Sequence, residues 1–80
     1  MINIITEDGT KLINYDDVSV IHIFTLDEKR GVIKIAFRDN SELAITDINT
    51  KNELEQKFQK LCNAIANSPI GNVIIDMRTL

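Results

Sequence analysis

Over residues 1–46 the apolar side chains come in short runs with a period near two, the mark of strands, and turn residues separate the runs. Met1 to Ile5 is the first run. It ends at Glu7-Asp8-Gly9-Thr10, where Asp-Gly predicts a hairpin through a type I′ turn, and Lys11 to Asn14 is the returning strand. Tyr15-Asp16-Asp17 breaks the pattern. Val18 to Leu26 is the longest strand candidate and is apolar on both faces: Val18, Val20, Phe24 and Leu26 on one, Ile21 and Ile23 on the other. Such a strand is expected at the centre of a sheet, or covered on both sides. After the charged turn Asp27 to Gly31, Val32 to Arg38 alternates cleanly, with Ile33, Ile35 and Phe37 opposite Lys34, Ala36 and Arg38. Asp39-Asn40-Ser41 is the next turn, and Glu42 to Thr46 follows with Leu43 and Ile45 inward.

The period then changes to that of a helix. Leu54, Phe58, Leu61, Cys62 and Ile65 form one apolar stripe. Thr50 and Glu53 make a capping box at its start, and Glu53 and Lys57 are spaced for an ion pair on the solvent side. Pro69 disfavours helix at Ser68, so the helix should end near Asn67. A turn over residues 69–72 leads to a last strand over 73–78. The pattern predicts a single α+β domain spanning residues 1–80. Its antiparallel meander has about five strands, with one amphipathic helix (about 50–67) packed on one face and a C-terminal strand after it. That last strand is expected to pair with an edge of the same sheet or with a second molecule.

Composition narrows the class. Eighty residues allow one core and a thin margin of stability, and 44% apolar content is that of a folded chain. The net charge of −3 disfavours general attraction to nucleic acid or anionic lipid. The single cysteine makes no internal disulfide, and the first eight residues lack the basic start and long apolar run of a signal peptide. The apolar runs are too short to cross a bilayer. A cytoplasmic protein with no membrane contact is the expectation.

Candidate chemistry is sparse. His22, the only histidine, would be the general base or pH switch of any small enzyme or ligand carrier here, but no spacing brings it a nucleophile or carboxylate. Cys62 falls on the apolar stripe far from the helix start, where a small core residue is expected rather than a nucleophile. Oxygens alternate along Asp47 to Glu53 as in a calcium loop, but Asn52 stands where glycine is needed and the helix cap accounts for the same residues. One His and one Cys cannot supply a usual zinc site. The acidic pairs Glu7-Asp8, Asp16-Asp17 and Asp27-Glu28 fall in turns, where Asp bonds its own backbone. The glycines are isolated turn residues and make no phosphate loop. No catalytic residue, cofactor or metal is therefore expected.

The sheet carries more apolar side chains than one helix can cover. If Ile21, Ile23, Ile33, Ile35, Phe37, Leu43 and Ile45 face the helix, Val20, Phe24 and Ile74 are left over, with His22 beside them. In the opposite phase of residues 18–26, Ile21 and Ile23 are left over instead, and a curled sheet would cover both faces itself. Large apolar patches on soluble proteins mark interfaces. The leading expectation is a non-enzymatic protein-protein interaction module or homodimer using Val20, His22, Phe24 and Ile74, with the last strand as a pairing edge. The first alternative is a nucleic-acid-binding accessory protein with Lys34, Arg38 and Lys11 on a basic sheet face, against which the acidic balance and the scarcity of aromatics count. The second is a ligand-binding or enzymatic domain centred on His22.

Overall fold

In the computed structural model, residues 1–68 and 70–80 are described, so Pro69 and its expected part in ending the helix lie outside the described residues. The strands are β1 (Ile2–Ile5), β2 (Leu12–Asn14), β3 (Val18–Thr25), β4 (Arg30–Phe37), β5 (Glu42–Ala44) and β6 (Asn49–Thr50). The helix α1 (Lys51–Ala66) follows, then β7 (Val73–Asp76). The α+β class, the single helix and the strand after it are as the pattern predicts.

The strands divide into two sheets instead of running as one meander. β1 pairs antiparallel with β2 and parallel with β7. β4 pairs antiparallel with β3 on one side and with β5 and then β6 on the other. The division falls at Tyr15–Asp17, which form one turn of 3-10 helix capped by the Asn14 side chain, whose oxygen accepts the Asp16 N–H at 2.9 Å. That turn redirects the chain before β3 can pair with β2. The parallel register runs from Ile2 beside Val73 to Ile5 beside Asp76, so the last strand closes the smaller sheet of its own chain.

The turn between β1 and β2 also differs from expectation. Gly9 takes a φ of +75° but Asp8 does not, so the turn is not type I′. The Asp8 carboxylate organises it, accepting the Thr6 hydroxyl at 2.6 Å and the Thr10 amide at 2.9 Å. Within β3 the register slips between Val18 and Val20. That bulge turns Val18 to the inner face beside Phe37, where the alternation alone places it with Val20.

One apolar core joins the two sheets and the helix. Ile4, Ile13 and Ile75 come from the smaller sheet, Ile33 and Ile35 from β4, Ile45 from the chain after β5, and Leu54 and Leu61 from α1. The helix starts where the sequence indicates: the Thr50 hydroxyl accepts the Glu53 N–H at 3.3 Å, and the last cap is Asn67. Lys57 does not pair with Glu53. Its ammonium reaches across to Glu7 in the hairpin turn, at 2.5 Å. Glu7 also takes bonds from the Asp47 amide and the Asn49 side chain, so three segments meet at one carboxylate. Burial alone would raise the Glu7 carboxyl, but the bonds from Lys57 and Asn49, with the Lys57 charge, hold it below its ordinary 4.5.

Candidate functional site

β3 is an edge strand. Among the described residues it pairs only with β4, and its other side is open. The expectation of a central or doubly covered strand is therefore overturned, although the apolar pattern that motivated it is real. The inner face, Ile21 and Ile23, packs against the core. The outer face holds Val20 at 52% exposure and Phe24 at 39%, with His22 between them.

The backbone of β3 can be oriented from its neighbours. Ile33 on β4 donates its N–H to the Thr46 hydroxyl at 3.0 Å, and its carbonyl accepts the Ile45 N–H at 2.9 Å. Ile33 thus turns both groups away from β3. Strand alternation then turns those of Val32 and Lys34 toward β3, onto their register partners Phe24 and His22. Ile21 and Ile23, which alternate with His22 and Phe24 along β3, direct their N–H and C=O outward from the free edge.

Below that edge, on the inner side, β3 and α1 enclose two adjoining grooves. One of about 470 Å³ is lined by Ile23, Glu55, Phe58, Gln59 and Cys62. The next, about 270 Å³, is lined by Tyr15, Ile21, Phe58, Cys62, Ile65 and Ala66. Cys62 is exposed here and not a core residue as expected. The helix stripe is wider than the sheet above it: Leu54 and Leu61 are fully covered, while Phe58 and Ile65 are half-buried and Cys62 opens to the groove.

The other candidates scatter. Ile74 is 63% exposed, but on the outer face of the smaller sheet near Leu12 and Ile5, apart from Val20 and Phe24. Lys34 lies opposite His22, and its ammonium sits 3.9 Å above the Phe24 ring. Glu42 shares this face, its Oε1 3.3 Å from His22 Nε2. Arg38 lies past the end of β4 in a hollow with Asp17 and Asp39, and Lys11 lies in the turn just before β2 of the smaller sheet. Lys34, Arg38 and Lys11 are thus not gathered into one basic face.

The turn carboxylates are occupied locally. Thr6 and Thr10 lower Asp8 to about 2. The Lys29 amide and the Arg30 guanidinium lower Asp27, and the Ser41 hydroxyl and amide lower Asp39. Arg78 does the same for Asp76 through a two-pronged pair. Among the described residues no group of three or more His, Cys, Asp or Glu is placed to hold a metal, and no helix is long and apolar enough to cross a membrane.

The open edge, with the outward amides of Ile21 and Ile23 and the groove over Phe58, Cys62 and Ile65, was not foreseen. The signal was present as the two apolar faces of residues 18–26, but strand order is not written in such a pattern. No family model, curated protein or solved structure matches the chain.

Proposed function

We propose that this chain is a non-enzymatic protein-protein interaction module that receives an extended polypeptide strand along the free edge of β3. One observation carries the reading. β3 has the apolar composition of a covered strand and the position of an edge strand. Natural edges are kept short, charged or proline-bearing, because unpaired N–H and C=O groups template pairing with another chain. β3 runs for eight residues with no proline and no Asp, Glu, Lys or Arg, and its bulge lies at one end only. The other edges, β2, β5, β6 and β7, are each four residues or fewer.

The added strand gains main-chain bonds to Ile21 and Ile23, and its alternate side chains fall into the groove over Phe58 and Cys62. Backbone pairing supplies affinity, and the groove supplies selection for apolar side chains at alternate positions. The reading is non-enzymatic and needs no cofactor. His22 meets Glu42 on an open face, with side-chain exposures of 36% and 47%, and not in an enclosed pocket. The basic-face alternative is weaker, since the ammonium of Lys34 already sits over Phe24 and Arg38 lies among carboxylates.

Hydrogen exchange tests the reading. The probe is a synthetic peptide with the sequence of residues 18–25 between lysine flanks. Its addition should protect the Ile21 and Ile23 amides while leaving those of β7 unchanged. Free exchange of both amides at saturating peptide would sink the proposal.

A further inference from the structure

We propose that the strand received at this edge is β3 of a second copy of the same chain, laid antiparallel across a two-fold axis at His22. This rests on the reading of β3 as a receiving edge and names the occupant. The sequence of β3 and its register with β4 together fit such a pairing. Around His22 the strand is symmetric in residue type: Ile21 and Ile23 flank it, then Val20 and Phe24, then Ser19 and Thr25. An antiparallel two-fold pairing centred there sets Ile21 against Ile23 of the partner subunit, and Val20 against the partner's Phe24. Ser19 falls against the partner's Thr25. Like meets like at every position.

The backbone permits the same register. Ile21 and Ile23 are the residues whose N–H and C=O point out of the free edge, so Ile21 and the partner's Ile23 exchange both bonds as a hydrogen-bonded pair. His22 and the partner's His22 then form the non-bonded pair on the axis. The span from Val20 to Thr25 holds an unbroken ladder with β4, so the edge is regular where the pairing needs it.

Neighbouring registers are worse. Centring on Ile21 sets Ser19 against an isoleucine and Val20 against a histidine. Centring on Ile23 sets Thr25 against an isoleucine and His22 against a phenylalanine. The faces also agree. A two-fold perpendicular to the sheet keeps both helices on one side, so Ile21 and Ile23 of each copy close the groove over Phe58 and Cys62 of the other. Val20 and Phe24 become cross-strand partners on the outer face, where aromatic and β-branched residues pair favourably.

The test combines sedimentation with cysteine placement in a Cys62→Ser background. A non-bonded antiparallel pair has Cα atoms about 4.5 Å apart, within disulfide range. His22→Cys should therefore give a covalent dimer on oxidation. Val20→Cys should not, since the two copies of residue 20 lie about 13 Å apart along the strands. Val20→Glu with Phe24→Glu sets like charges opposite each other twice and should raise the dimer dissociation constant about tenfold or more. Val20→Lys with Phe24→Glu makes both pairs complementary and should restore most of that loss. Circular dichroism checks that each variant is folded.

A monomer at every concentration, with no link from His22→Cys, would overturn the second copy as occupant. If the residue 18–25 peptide still protects Ile21 and Ile23, the receiving edge stands with a different partner. If it does not, both readings fall together. A dimer that links through Val20→Cys, or that ignores the double-glutamate variant, overturns the proposed register.

Discussion

Gly31 shows how little room some positions leave. It sits opposite Thr25 where β4 begins, and a Cβ there would lie closer to the Phe24 carbonyl oxygen than contact allows. The obstacle is backbone, so it cannot swing aside. Gly31→Ala should cost about 1–3 kcal/mol by denaturant titration, the range for an overpacked site. A neutral result would mean that the β3–β4 ladder opens there without penalty. Thr46 makes a different point. It is buried, and its hydroxyl supplies the acceptor for the Ile33 N–H just where the chain leaves β5. Thr46→Val keeps the shape and leaves that N–H buried without a partner, a loss of about 1–3 kcal/mol. Thr46→Ser keeps the oxygen and should recover most of the difference.

At the scale of elements, what could be read from the sequence follows from local signals. The helix was legible because its stripe and the Thr50 cap lie within a few residues of each other. The strand segments were legible from alternation and turn residues. Strand order was not, because it depends on contacts between segments distant along the chain: no local feature pairs Ile4 with Ile75 or leaves β3 at an edge. The bulge near Ser19 likewise moved Val18 to the inner face against the simple period. Of the residues proposed for an interface, Val20, His22 and Phe24 share one face, and Ile74 joins another sheet. The helix stripe misled at one position, since an apolar period marks a face but not its covered width. A covered Leu61 beside an exposed Cys62 makes that width measurable. Cys62 should react with a maleimide in the folded monomer, as kept apart by Val20→Glu with Phe24→Glu, because a second copy would close its groove. A cysteine placed by Leu61→Cys, in a Cys62→Ser background, should react only as fast as the chain unfolds. Equal rates would mean the helix does not sit as described.

The whole molecule depends on how its two sheets are tied. Beyond the shared core, the tie is Glu7, which joins the β1–β2 turn to Lys57 on the helix and to Asp47 and Asn49 before it. Both partners of the ion pair are largely covered, with side-chain exposures of 21% for Lys57 and 14% for Glu7, so solvent screens it less than a surface pair. A carboxylate held below its ordinary value stabilises the fold when it is ionised. That contribution is complete above pH 4.5 and is lost as the pH falls through the lowered value in the folded chain. Glu7→Gln should therefore be less stable than the native sequence by about 1 kcal/mol at pH 7. The two stability curves should converge in acid, because a protonated Glu7 and a glutamine offer Lys57 the same neutral partner. Asp8, Asp27, Asp39 and Asp76 lose their own contributions below 3.8, but in both proteins alike, so they cancel in the difference. A gap between the curves that stayed constant down to strong acid would show that Glu7 acts through shape and hydrogen bonding alone. A gap that closes below pH 4.5 would identify its charge as the link between the smaller sheet and the helix.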